Sequence, residues 1–263
     1  MTRTLGIAAL SLITGAVVIV LYAPLLIVMV GSFVPVNGAA FDWSKASLAA
    51  YAALMGSRPI IEALLRSLLV SVLAVAASLL FGTILALYYH WSKTALRQVL
   101  QLTVFLPFVL PQVITGLALL IATTMTPVST GLVAVTIGQT IFVAAIAYRL
   151  ALMQLQALSK SLVEASMDLG ASRWQTVRLV LLPNMTGALV TAALLAFVLS
   201  FDETLITLFV VGDTPTLPIR LWAMIRVGFN PSIKALVSLI LVTSFAIAFV
   251  AVRRLRIAGI GGL

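Results

Sequence analysis

Apolar positions in this chain run in long unbroken blocks, and polar residues gather in the short segments between them. A helix needs roughly 20 apolar residues to cross a bilayer. Six blocks meet or approach that length. The first is about Leu5 to Phe33, the second Leu64 to Tyr88, the third Leu100 to Ala122 and the fourth Leu132 to Tyr148. The fifth begins near Met185, and the sixth is about Ile233 to Val252. The third contains Pro107 and Pro111. Each removes a backbone donor and crowds the preceding turn, which predicts a packing kink within that span. The first block is longer than a signal-peptide core and follows Arg3, so it reads as an uncleaved span, with a cleaved signal as the alternative.

Composition places the blocks in lipid. Of 263 residues, 62% are apolar and 9% charged, and the mean hydropathy is +1.22. A soluble domain carries about 25% charged residues. So few charges cannot cover a water-facing surface, and the fold class expected is all-α: a polytopic membrane protein with six transmembrane helices. The chain has no cysteine and one histidine, His90. That excludes disulfides and thiol catalysis and leaves no metal site expected. The net charge of +9 would suggest nucleic acid in a soluble protein. Here it reports loop charge, and no nucleic-acid partner is expected.

Lysine and arginine set the orientation. With both termini in the cytoplasm, the inner segments hold Arg3, Lys93, Arg97, Arg149, Lys160, Arg173, Arg178, Arg253, Arg254 and Arg256. The outer segments hold Lys45, Arg58, Arg66, Arg220, Arg226 and Lys234. Ten against six has the sign the positive-inside rule requires. The acids divide the other way. Glu164 and Asp168 lie inside, whereas Asp42, Glu62, Asp202, Glu203 and Asp213 lie outside or near the outer face.

One segment is out of keeping with its neighbours. "EASMDLGASRWQTVRLVLLPN", Glu164 to Asn184, joins spans four and five and carries two acids, two arginines, two serines, a glycine and a proline. Ser161 to Glu164 and Ser172 to Gln175 each have the spacing of a capping box, in which side chains satisfy the orphan amides of a first helical turn. Gly170 suits the left-handed position that ends a helix. Together they predict helix, turn, helix on the cytoplasmic side, with Pro183 marking the approach to span five.

This segment resembles the EAA motif of ATP-binding cassette (ABC) importer permeases, the type I or MetI-like group. Glu164, Ala165, Ser166, Gly170, Leu182 and Pro183 fill the positions of that motif, with Ser166 in place of a second alanine. The resemblance covers roughly Glu62 to Val252, with span one added in front. It implies a domain plan of 1–61 (first helix and outer loop), 62–252 (permease domain) and 253–263 (basic cytoplasmic tail). It also implies a cytoplasmic coupling helix, with Ser161, Glu164, Ala165, Asp168, Gly170 and Arg173 at the contact with an ATPase subunit. The chain has no Walker A loop, so ATP and Mg would be held by a separate ATPase dimer, and no cofactor is expected on this chain. Further implied partners are a second permease, identical or different, a solute-binding protein outside, and membrane lipid. The implied location is the bacterial inner membrane.

A narrower resemblance lies in Leu199 to Ser238. "SFDE" (Ser200 to Glu203), "TLP" (Thr216 to Pro218) and "NP" (Asn230 and Pro231) look like the second permease of spermidine/putrescine-type importers, as does "FDWSKASLAAY" (Phe41 to Tyr51). Relatives for phosphonates or iron share much of the pattern. Asn184 to Asp202 is ~27 Å of helix, which carries Asp202 and Glu203 to the outer half of the membrane. Acids there face a cavity or a partner, so they are candidates for the substrate path, with a structural pairing of Asp202 to Arg220 or Arg226 as the alternative. Trp43 and Trp222 are candidate aromatic contacts for ammonium groups, or interfacial anchors. An ion-coupled secondary transporter would need inverted repeats and broken mid-membrane helices. One histidine, no cysteine and no metal-ligand spacing argue against an intramembrane enzyme. A transport subunit without enzymatic activity of its own is the function expected.

Overall fold

The computed structural model describes residues 2–37, 40–228, 232–243 and 245. It is almost wholly helical among these residues, and four helices are long and apolar enough to cross a bilayer by themselves. The residues group into two compact units, Met1–Ile61 with Leu221–Leu263, and Glu62–Arg220.

In the first unit, α1 (Thr2–Phe33) carries the apolar stretch Leu10–Phe33. Its side chains from Leu10 to Ile27 are largely exposed, as lipid-facing residues must be. Two short antiparallel strands follow, β1 (Val36–Asn37) and β2 (Ala40–Phe41), then a 3₁₀ turn over Trp43–Lys45 and helix α2 (Ala49–Met55). The described part of the sixth block is α12 (Ser232–Thr243). Asn230, Pro231, the end of that block and the basic tail lie outside the described residues.

Helix α3 (Arg58–Trp91) runs from the first unit into the second, and α11 (Leu217–Val227) from the second into the first. The second unit is otherwise built from α4 (Leu96–Val109), α5 (Gln112–Met125), α6 (Leu132–Ala157), α7 (Lys160–Asp168), α8 (Arg173–Thr176), α9 (Leu182–Phe201) and α10 (Leu205–Val210). Helix α6 is its axis. Tyr148, Ala151, Leu152 and Leu155 bury against Ala86 of α3 and Leu181 and Met185 of the α9 region. A Cβ on Gly82 would come within 2.7 Å of the Tyr148 backbone nitrogen, so only glycine lets α3 and α6 pack at this distance.

The bend in the third block is far sharper than the packing kink expected: two helices meet at 108°. Pro107 stays inside α4, and the break falls at Leu110, which is extended (φ −65°, ψ 145°) because Pro111 disfavours the helical conformation before it. Each 14-residue half is ~21 Å long, too short to cross a ~30 Å hydrocarbon core alone. The helix that holds the fifth block starts well before Met185. A continuous helix runs from Arg173 to Phe201. A π-turn at Val177–Leu181 precedes Pro183, with the amide of Leu182 bonded to the Val177 carbonyl. The missing N–H of proline falls where the hydrogen-bond register is already changing, so the helix continues through it.

Candidate functional site

The polar segment after α6 folds as helix, turn, helix. α7 ends in a Schellman turn: the Ala171 amide bonds the Ser166 carbonyl and the Gly170 amide bonds the Met167 carbonyl. Gly170 has φ +83°, the left-handed conformation expected of it. The second capping box is present, with Gln175 N–H donating to Ser172 Oγ and Ser172 N–H to Gln175 Oε1. The first box is not. α7 begins one residue before Ser161, with Ser159 at its N-cap, and the Ser161 hydroxyl shares a hydrogen bond with the Ser159 hydroxyl. Because the helix starts earlier than the spacing suggested, Glu164 lies inside it and faces solvent, as do Ala165 and Asp168.

Ser166, the departure from the motif's alanine, is buried, and its hydroxyl lies 3.0 Å from that of Thr176. That bond ties α7 to α8 and fixes the elbow. Thr176 also donates to the Ser172 carbonyl. Around the elbow Leu162, Met167, Leu169 and Trp174 are exposed, Leu169 to 89%. A cavity of about 230 Å³ beside it is lined by Trp91, Val163, Met167, Arg173 and Thr176. The six residues singled out for coupling therefore share one rigid elbow with an apolar, water-exposed face.

At the other end of the same continuous helix, Asp202 and Glu203 part company. Asp202 caps α9 and is exposed, lining a cavity of about 270 Å³ with Gln112, Phe142 and Thr204. Glu203 also reaches this cavity, but is only 3% exposed. Its Oε1 accepts from Ile206 N–H at 2.6 Å, and its Oε2 from Thr207 N–H at 2.9 Å and Thr207 Oγ1–H at 2.6 Å. These bonds secure the first turn of α10 where the chain breaks after α9. From α6, Gln139 joins both sides of the break: Ser200 Oγ donates to its Oε1, and its Nε2 donates to Thr207 Oγ1 at 3.1 Å. On the opposite side of α10, a Cβ on Gly116 would meet the Ile206 Cα at 3.0 Å, so α5 also packs tightly there.

Asp202 forms no ion pair with Arg220, whose Nε is buried without a partner among the described residues. Arg226 instead places its guanidinium over the Trp222 ring, 4.1 Å from the centroid. Trp43 is exposed and lies beside Phe41, with ring centroids 5.9 Å apart. Both tryptophans belong to the first unit. Sequence reasoning missed Gln139, Phe142 and Gln112. Gln139 carried a signal, being the one amide in an otherwise apolar span; the others had none, since only the fold brings them to Asp202.

A polytopic helical fold, a capped interhelical elbow and a polar break at the far end of one helix fit a membrane subunit of a transporter. Residues 78–258 match the family described as the binding-protein-dependent transport system inner membrane component. The chain belongs to this family and is the permease subunit of an ABC importer in the inner membrane, a transport subunit and not an enzyme. It is 31% identical over 241 residues to the putrescine transport system permease protein PotI of Escherichia coli (strain K12), covering 88% of this chain and 85% of that one. It is 26% identical over 247 residues to the spermidine/putrescine transport system permease protein PotC of Shigella flexneri, covering 92% of each. The fold matches a bacterial ABC transporter involved in import of the acidic polysaccharide alginate (TM-score 0.74, 16% identity, 97% of this chain and 96% of that one). It also matches the inward-facing MetNI methionine ABC transporter (TM-score 0.61, 23% identity, 76% of this chain and 94% of that one).

Proposed function

We propose that this permease lines the translocation path for a small organic cation of the polyamine class. The observation that carries this reading is the cavity at the α9–α10 break. It is lined by two carboxylates, Asp202 and Glu203, and by no cationic side chain. Glu203 is held by neutral donors alone, with no cationic side chain beside it. An unpaired acid within a membrane helix bundle points to a cation path. Phe142, stacked on Phe108 with centroids 5.5 Å apart, adds an aromatic wall of the kind that takes ammonium groups. The relatives named for putrescine and spermidine support the same class.

In this reading six spans cross the membrane, the bent α4–α5 pair counting as one and α12 beginning the last, and both termini are cytoplasmic. The domain plan remains 1–61, 62–252 and 253–263. The α7–α8 elbow docks an ATPase dimer through its exposed apolar side chains, flanked by Glu164, Asp168 and Arg173. ATP and Mg are bound and used on that partner, a second and different permease completes the path, and a solute-binding protein delivers the cation.

The test is uptake by the assembled importer. Asp202→Asn removes one charge-assisted contact, worth about 1.5–3 kcal/mol, and lowers uptake roughly 10- to 100-fold while the ATPase still copurifies. Spermidine-loaded binding protein stimulates ATP hydrolysis. Stimulation by a phosphonate alone would overturn the reading.

A further inference from the structure

The first unit contains a second polar cavity, remote in character from the acids just described. It has a volume of about 350 Å³ and is lined by Lys234 of α12, by Ser32 and Phe33 at the end of α1, and by Val36 and Ser47 of the segment that follows. Lys234 is half-buried and forms no ion pair or hydrogen bond among the described residues, which include all seven acids of the chain. Its Nζ and Cδ both lie 3.5 Å from the point a Cβ on Gly31 would occupy. Gly31 thus forms the floor beside the lysine, at ordinary van der Waals distance from where a Cβ would stand.

An ammonium that has lost part of its water and found no carboxylate is stabilised by an anion from outside the chain. The level of the cavity identifies which. The apolar block of α1 runs from about Leu5 and ends at Phe33, where the polar segment with Asn37, Asp42, Ser44 and Lys45 begins. Gly31 to Phe33 thus stand at the membrane–water boundary, whichever way the chain is oriented, and lipid phosphates lie at that depth. The rim matches a lipid as well: Phe33 and Val36 are apolar and exposed, and exposed Leu26 and Ile27 continue down α1 toward the hydrocarbon. A soluble anion needs the ammonium but gains nothing from this rim.

We infer that this cavity binds the phosphate of an anionic phospholipid, with Lys234 as its charge contact, the Ser47 hydroxyl beside it and acyl chains lying along α1. The inference does not depend on the polyamine reading, because its readout is lipid and not transport. The assembled importer is purified in phosphatidylcholine nanodiscs containing increasing phosphatidylglycerol, and retained lipid is measured by native mass spectrometry. Wild type retains phosphatidylglycerol over phosphatidylcholine. Lys234→Gln and Gly31→Val, one removing the charge and the other filling the floor, each weaken retention roughly 10-fold, and Lys234→Arg keeps it. Millimolar inorganic phosphate does not displace the lipid. Equal retention by wild type and both variants overturns the inference. So does displacement by free phosphate, which would make this a soluble-anion site. Unchanged lipid retention with weakened capture of the solute-binding protein would assign Lys234 to a protein contact instead.

Discussion

Replacing Glu203 with glutamine tests whether the buried acid is the keystone of the α9–α10 break or a second substrate contact. The carboxylate accepts three hydrogen bonds from donors that are themselves buried. Glutamine has one acceptor oxygen. With its NH₂ turned toward Thr207 it loses two of the three bonds; with its NH₂ turned toward Ile206 it loses one and sets two donors face to face. In the better case one charge-assisted bond worth about 1.5–3 kcal/mol disappears and one buried amide is left unsatisfied, at about 1–3 kcal/mol. The neutral amide recovers part of this, because a carboxylate is costlier to bury than an amide. The net is about 3 kcal/mol, roughly a 100-fold shift in the folding equilibrium. Asp202→Asn removes the same charge from an exposed cap and has no such consequence. Heating the detergent-purified importer and following the intact fraction by size exclusion therefore separates the two: Glu203→Gln unfolds at clearly lower temperature, and Asp202→Asn unfolds with wild type. The reasoning would be falsified if Glu203→Gln were as stable as wild type and lost uptake alone.

Gly170→Val forces a β-branched residue to φ +83°, at a cost of about 1–2 kcal/mol; nothing lies within 4 Å of the new Cβ, so the membrane core survives while ATPase copurification is lost. Glu164→Gln breaks no cap, so the purified permease keeps its stability; loss of the ATPase that steepens with added salt marks a charge contact with that partner, and an unchanged complex across the salt series refutes one. Gly82→Leu sets a Cβ 2.7 Å from the Tyr148 backbone nitrogen; the expected outcome is failure to accumulate in the membrane, and normal expression with normal uptake would show that α3 and α6 do not pack as described.

What was legible in the sequence follows the range of the forces involved. Apolar blocks mark helices because hydropathy is local, and Gly170 and the Ser172 box were readable because caps and left-handed turns are fixed by four or five neighbouring residues. The Ser161 box failed for the same reason in reverse: two serines two residues apart compete for the cap, and the choice of Ser159 is not encoded in the spacing of either. The 108° bend was underestimated because a proline signals that a helix is weakened but not how far it turns. That depends on what the second half packs against, here α10 through Gly116. The division of labour between Asp202 and Glu203 was visible as geometry, since neighbours on a helix point about 100° apart. Which of them is buried depended on how α10 packs at the break that Gln139, 61 residues before Ser200, ties together, and in the sequence Gln139 is recognisable only as a lone amide in an apolar span.

The elbow and the acid pair turn out to be the two ends of one element. The helix from Arg173 to Phe201 carries the Ser172 cap at its start and Asp202 at its C-terminus, ~43 Å apart along the axis. Near its start Val177, Leu181 and Met185 are seated in the core formed with α6; at its end Ser200 is bonded to Gln139 of the same helix α6. A displacement applied to the elbow cannot be absorbed at the joint, because the Schellman turn and the Ser166–Thr176 bond leave it little freedom. It can be absorbed only at the π-turn, where the hydrogen-bond ladder is already widened, or be passed along the helix to the break held by Glu203. Ser166→Ala distinguishes these routes. It removes the tie between α7 and α8 while leaving Thr176 bonded to the Ser172 carbonyl, at about 1 kcal/mol. The ATPase still copurifies and still hydrolyses ATP, but uptake per ATP falls, because the elbow now yields before the helix moves. Uptake per ATP equal to wild type would place the stiffness of this connection elsewhere than in the Ser166–Thr176 bond.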